Sequence, residues 1–366
     1  MIKTQMSQQN RRSRSRRTKQ LLWSGVILLT VLAAVLLITR IHGADRQTDS
    51  LSEAESTLTD HPGAVSTVSG AVNEETAEVS AVQPASQPPI QEKSNWDFQE
   101  VLLPQYIKDF LSENWEADYR NIITALYKGE SSVQLTAIST QKEWEQMRRA
   151  VQLTFPPRAL LYDAQYYNND GPFSFDEKTG VLSIRYGWEQ EIPSVADRDS
   201  YLLEVDAFRQ NVTEIFDRYV TDVSDAESTA GELFDYVALT LRYDYDMKLN
   251  LYDAFTKHIA YCQTYSQMYQ YLMWQAGYEC WLYTGGNFDH EWNVIWLDGI
   301  PYHADATWQS NDDYTDRYFF AMSDEAAKAT NHGSADSYMR TDVLLDSDER
   351  VYCTDRRFDE IYRKGI

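Results

Sequence analysis

Aromatic residues, the largest contributors to a buried core, are missing from one long stretch of this chain. Of its 10 Trp, 25 Tyr and 13 Phe, none lies between residues 43 and 95. Such a stretch cannot bury enough apolar surface to offset the entropy of ordering it. It is rich in Ser, Thr, Ala, Glu and Gln and ends among Pro84, Pro88 and Pro89. That composition predicts a flexible linker over 42–95, stiffer at its proline-rich end. The part able to build a core starts at Trp96.

Upstream of the linker, Arg11, Arg12, Arg14, Arg16, Arg17 and Lys19 precede an uncharged apolar run over 21–39. As a helix that run spans roughly 28 Å, close to the thickness of a bilayer's hydrocarbon core. The basic cluster is expected to stay in the cytoplasm and everything after Arg40 to lie outside. A cleaved signal peptide is the alternative, but the apolar run is long for one and His42-Gly43-Ala44 is a poor cleavage site. The reading is a basic tail over 1–20 and a single-pass anchor over 21–41. The formal net charge is −23, and the first 42 residues carry only basic charges, so the body is more acidic than the total. Such a body repels phosphate backbones, which excludes nucleic acid as a partner.

Beyond Trp96 the pattern is α+β. Helical spacing covers 98–128, with a second helix over 117–126, and recurs over 200–242 with a break near 221–225. Ser228 or Thr229 is the expected cap after that break. Strands are expected over 159–167 and 181–186, with Gly180 in the turn before the second. Three cysteines, Cys262, Cys280 and Cys353, are too few for a disulfide framework. A Cys280–Cys353 pair would leave Cys262 as the one free thiol, although no spacing rule demands it.

The informative stretch is 260–308. Tyr265, Met268, Tyr269, Leu272, Met273 and Ala276 repeat at helical spacing, and Gly277 closes that helix. Counting back puts Cys262 in or just before the first turn. There the unpaired N–H groups favour a thiolate, the form a nucleophile needs. A buried, inert cysteine would also fit that position, and position alone does not separate the two readings. A strand over 280–284 follows, then His290-Glu-Trp-Asn and the turn dipeptide Asp298-Gly299. If these two form a tight turn, partners across the hairpin sum to 597. His290 then opposes Thr307 and lies diagonal to Asp305 on one face, roughly 7–8 Å away. A thiol, an imidazole and a carboxylate in that arrangement suit thiol acyl transfer. His303, two residues from Asp305 on the same strand face, competes for the role of base and otherwise forms a wall of the site, as Tyr261, Gln263, Trp292 and Asn293 would. His258 reads as a surface residue, and His42, His61 and His332 as residues of anchor, linker and a polar loop. No metal-ligand spacing occurs and no cofactor is expected.

The order Cys262, then His290-x-Trp292-Asn293, then Asp305-x-Thr307-Trp308 resembles the transglutaminase-like superfamily, a branch of the papain-like cysteine enzymes. Leu241-Arg-Tyr-Asp244 resembles the segment before the family's nucleophile helix, and Tyr318-Phe-Phe320 the aromatic strand after its Asp. The resemblance covers roughly residues 225–325; Ala260 and Thr264 stand where the family commonly has glycine. It implies a papain-like α+β core with the Cys helix packed on an antiparallel sheet bearing His and Asp. With the patterning before it, this divides the chain into an N-terminal α+β region over 96–215 and a transglutaminase-like catalytic domain over 216–366. The expected activity is a membrane-anchored, extracytoplasmic acyl transferase or hydrolase acting on a protein or peptide at the cell surface. The alternative is an inactive module of the same fold that binds cell-surface protein or peptidoglycan.

Overall fold

The computed structural model describes residues 96–366, apart from 112, 163–170, 191–192, 247, 286–289, 312–315, 345–349 and 364–366. The expected tail, anchor and linker over 1–95 lie outside the described residues. Among the described residues no helix is long and apolar enough to cross a membrane. What they form is α+β.

The chain is not helical from residue 98. Pro104 caps α1 (Gln105–Phe110), so the helix starts only after it, and α2 (Glu113–Lys128) is longer than the 117–126 expected. After β1 (Ser132–Gln134), α3 (Gln141–Thr154) begins with a capping box between Thr140 and Glu143. Of the strand expected over 159–167, residues 159–160 belong instead to a 3-10 turn, Pro156–Leu160, since two prolines set helical φ there, and residues 163–167 lie outside the described residues. Only Leu161 bridges to Tyr186. The hairpin of β2 (Phe173–Asp176) and β3 (Val181–Ile184) turns at Gly180, whose φ is +68°. β3 is central in a sheet ordered β1-β3-β2.

Two helices, α4 (Arg198–Tyr219) and α5 (Ala226–Thr240), follow with the expected break between them. The cap of α5 is Asp225, whose carboxylate accepts from the Ser228 N–H at 3.0 Å, rather than Ser228 or Thr229. Residue 216, the expected domain boundary, falls inside α4. Residues on both sides of it, from Trp96 to Phe358, belong to one buried hydrophobic cluster.

The second half positions the candidate site. β4 (Arg242–Tyr243) and β5 (Ile259–Ala260) pair in parallel, with α6 (Leu251–Lys257) between them in sequence. Then comes α7 (Cys262–Gln275). Gly277 at φ +87° lets the Tyr278 N–H reach the Met273 carbonyl at 2.9 Å, and this closes the helix. β6 (Cys280–Thr284), β7 (Glu291–Leu297) and β8 (Ile300–Ala304) form an antiparallel sheet. After α8 (Ala306–Asn311) and α9 (Asp324–Ala329), β9 (Met339–Arg340) joins it in the order β8-β7-β6-β9; α10 (Arg357–Tyr362) ends the fold. Alternation splits the side chains between two faces. Tyr265, Met268, Leu272, Cys280, Ile295 and Leu297 share the main core, while Trp281, Tyr283, Trp292, Val294 and Cys353 form a second cluster.

The β7–β8 register runs from Asn293↔Ala304 to Leu297↔Ile300. Each pair sums to 597, as the turn dipeptide implied, and Pro301 introduces no bulge. Asp298 and Gly299 both have positive φ, 54° and 77°, the requirement of a type I′ turn. A β-branched residue tolerates that backbone poorly. Gly299→Val is expected to destabilise the protein by about 1–2 kcal/mol, read as a lower urea midpoint with an unchanged m-value.

Candidate active site

Cys262 is the first residue of α7. Its preceding residue, Tyr261, makes no side-chain cap, and the first main-chain bonds of the helix are donated by Thr264 and Tyr265 to the Tyr261 carbonyl. The Cys262 N–H therefore has no partner within the helix; it donates to the hydroxyl of Tyr243 on β4. Side chains fasten this first turn to the sheet. The Ser266 hydroxyl lies 3.0 Å from the Cys262 carbonyl and 2.9 Å from that of Glu291. Asn293 Nδ2 donates to the Ser266 carbonyl at 3.0 Å and approaches Cys280 Sγ at 3.4 Å. Asn293 thus braces α7 against β7 from the core side and does not line the site.

His290 stands just before β7, its carbonyl held by the Thr284 hydroxyl at 2.8 Å. Its Nε2 meets Asp305 Oδ2 at 2.6 Å. The Cys262 side chain is its other hydrogen-bond partner, which leaves Nδ1 as the nitrogen facing sulfur. The ring stacks on Trp308 at 4.8 Å and lies nearly parallel to Trp292 at 6.0 Å. Thiol, imidazole and carboxylate come together, though not by the expected route. The β7–β8 ladder ends at Ala304, so Thr307 never opposes His290. Asp305 leaves the strand to cap α8, where its Oδ1 accepts from the Thr307 and Trp308 N–H groups at 2.9 and 3.0 Å. Asp is a strong capping residue, and that preference ends the ladder.

Burial disfavours a charged His290. The Asp305 carboxylate and the Cys262 sulfur outweigh it and lift the imidazole to about 10. Burial would likewise raise Asp305, but His290 and His332 hold it well below the usual carboxylate range. At neutral pH the imidazole is therefore a cation between sulfur and carboxylate.

One member of this cluster had been assigned to a polar loop. His332 is buried, and its Nε2 lies 3.0 Å from the same Asp305 Oδ2 that His290 uses. Its Nδ1 lies 3.1 Å from the Thr330 hydroxyl, and its ring meets Trp308 at 4.1 Å. His303 does not sit beside Asp305 as expected. It is fully buried, accepts from Trp292 Nε1–H through Nδ1 at 3.1 Å and contacts Asp324 Oδ1 through Nε2 at 2.9 Å. It supports Trp292 from behind. Tyr261 donates to Gln263 Oε1 at 2.5 Å beside the Cys262 turn. Below them Glu291 is buried, which pushes its carboxyl up to about 7. His258 is exposed, and its left-handed backbone (φ 53°) ends α6.

Among the described residues, two groups bring ligand-type atoms within 4.8 Å of one another: His290, Asp305 and His332, and His303, Asp324 and Cys353. In the second, the Trp292 bond leaves the His303 proton on Nε2 facing Asp324, so that nitrogen offers no lone pair. The three cysteines are free. Cys280 and Cys353 lie in separate clusters rather than in the pair that sequence had allowed, and burial raises both thiols. The aromatic segment Tyr318-Phe-Phe320 is a turn, followed by a single bridge, His303↔Met322, on the edge of β8. Searches against protein-family models and against curated proteins return no match for this chain.

The raised His290 makes the site pH-dependent with a definite sign. A folded value above the ordinary one contributes stability that is complete below about 6.5 and is lost as pH rises through about 10. The His290 Cε1–H resonance is expected to titrate near that value, and Asp305→Asn to move the midpoint down towards that of a free imidazole. A wild-type midpoint close to free imidazole would contradict this charge arrangement.

Proposed function

We propose that the chain is a transglutaminase-like cysteine enzyme with a papain-like core, performing thiol acyl transfer through Cys262, His290 and Asp305. One observation carries the reading. A cysteine at a helix start faces an imidazole whose far nitrogen is committed, at 2.6 Å, to a buried carboxylate. That is the arrangement an activated thiol requires.

The Cys262 thiolate attacks the carbonyl carbon of a carboxamide or peptide, and a C–S bond forms. Charge moves to the carbonyl oxygen, to which the Cys262 N–H, exchanging its Tyr243 partner for the oxyanion, and the Tyr243 hydroxyl then donate. His290 gives its proton to the departing nitrogen, the C–N bond breaks and a thioester remains. Water or an amine then attacks the thioester while His290 takes the attacker's proton, and the thiolate leaves. Asp305 orients the imidazole and stabilises its charge throughout. Water yields deamidation or peptide hydrolysis; an amine yields a transamidated product. The basic tail and apolar run make this a membrane-anchored, extracytoplasmic enzyme, with surface proteins or peptidoglycan peptides as substrates.

The buried positions of Cys280 and Cys353 simplify the test. Iodoacetamide at pH 6 is expected to label only Cys262, about tenfold faster or more than an unperturbed thiol. Cys262→Ala should abolish the labelling, and an ordinary thiol rate in wild type would sink the enzyme reading. A second variant separates attack from oxyanion support. Tyr243→Phe is expected to slow thioester formation from a glutamine peptide by roughly 10²–10³, followed by mass spectrometry of the acyl-enzyme. Alkylation generates no oxyanion, so its rate should change little.

A further inference from the structure

His332 has no place in the three-residue mechanism, yet its geometry is not that of an incidental core histidine. The Asp305 carboxylate is fully buried and meets four partners. Its Oδ1 accepts from two backbone N–H groups, and its Oδ2 lies 2.6 Å from His290 Nε2 and 3.0 Å from His332 Nε2. His332 is itself fixed. Its Nδ1 lies 3.1 Å from the Thr330 hydroxyl, its main-chain N–H donates to the Ala327 carbonyl at 2.9 Å, and Trp308 and Trp292 pack on its ring. It arrives from the segment after α9, on the far side of Asp305 from the nucleophile.

We propose that His332 is a positioning residue for the acyl-transfer site: it shares Asp305 Oδ2 with His290, which locks the carboxylate in place and limits how strongly Asp305 stabilises the His290 imidazolium. The proposal rests on the triad reading above. An ionised oxygen that accepts two N–H bonds carries less charge towards either one. If His332 did not donate, Oδ2 would pair with His290 alone, and the imidazolium would give up its proton less readily. Since His290 must release its Nδ1 proton to the leaving nitrogen, the second histidine tunes the step through the imidazolium charge and without touching substrate. Among the described residues the charged and titratable groups around the pair are few. Cys262 meets His290 from α7, and Glu291 flanks it at the start of β7. His303 stands near His332 from β8, with Asp324 of α9 behind it.

Two substitutions divide the role of this side chain. The amide nitrogen of Gln reaches the place of Nε2, so His332→Gln keeps a donor to Asp305. The amide of Asn reaches only the place of Nδ1, so His332→Asn keeps the Thr330 side and loses Asp305. The readout is the pH profile of Cys262 alkylation by iodoacetamide in the full chain. Its alkaline limb reports loss of the His290 proton. In His332→Asn that limb is expected to move up by on the order of one pH unit, with the acid limb in place, and His332→Gln is expected to follow wild type. A purely structural role would lower the rate at every pH with the alkaline limb unmoved, and that result overturns the proposal. Wild type offers a check that needs no variant. Nitrogen-15 spectra of the histidines at pH 7 should show a proton on Nε2 of both His290 and His332, and an unprotonated His332 Nε2 overturns the proposal as well. Failure of the triad reading looks different, because wild-type Cys262 would then show no enhanced labelling at any pH.

Discussion

A carboxylate taken out of water is among the costliest groups a fold can bury, and Asp305 is fully buried at the centre of this one. Its four partners offset that cost, and they come from three different structural decisions. The two N–H groups exist because β8 stops and α8 starts there. His290 is delivered by the approach to β7, and His332 by the segment that follows α9. Removing Asp305 would therefore do more than delete a hydrogen bond. It would leave a helix uncapped and remove the counter-charge of a buried imidazolium, which is the expensive half of breaking a buried pair.

The rest of the site is arranged around that charge by the two faces of one sheet. On the core face, Ser266 and Asn293 fix the first turns of α7 to β7, and this sets where the Cys262 sulfur emerges. On the opposite face, Trp292, His303 and Tyr338 pack together, and Trp292 lies along the His290 ring. His290 sits where the two faces meet, at the strand's beginning. Its ring is held by a carboxylate at one nitrogen, by aromatic planes alongside it and by sulfur at the other nitrogen. In the proposed role of base, a ring so constrained would need little reorganisation when charge moves, and preorganisation of that kind is where much catalytic advantage resides.

Local rules made much of this legible. Asp298-Gly299 set the register of β7 and β8 to the residue, Gly277 marked the end of α7, and helical spacing placed Cys262 at its first turn. The errors have physical causes. Extrapolating the ladder to Thr307 ignored the capping preference of Asp305, a local competitor that won over strand continuation. The strand expected from residue 159 overlooked what Pro156 and Pro157 do to φ. Helix α3 was missed although Thr140 and Glu143 carry the capping-box signature. His332 was beyond reach for a different reason. It is 27 residues from Asp305, separated by turns without periodicity, and only tertiary packing brings its ring to the carboxylate. His303 shared parity with Asp305, but parity lost its meaning once Asp305 left the strand.

The tight turn between β7 and β8 also bears on the order in which the site comes into being. His290 and Asp305 are 15 residues apart, and the turn between them has a built-in conformation, so their encounter closes a short loop at small entropic cost. The thiol is supplied by a helix that must dock from outside the hairpin, and such non-local contacts form late. The basic half of the pair is thus assembled before sulfur is held against it. During synthesis the cysteine emerges first, before α7 can close on the sheet. On the proposed chemistry, reactivity would be switched on by completion of the fold, which would spare the nascent chain from carrying an activated nucleophile.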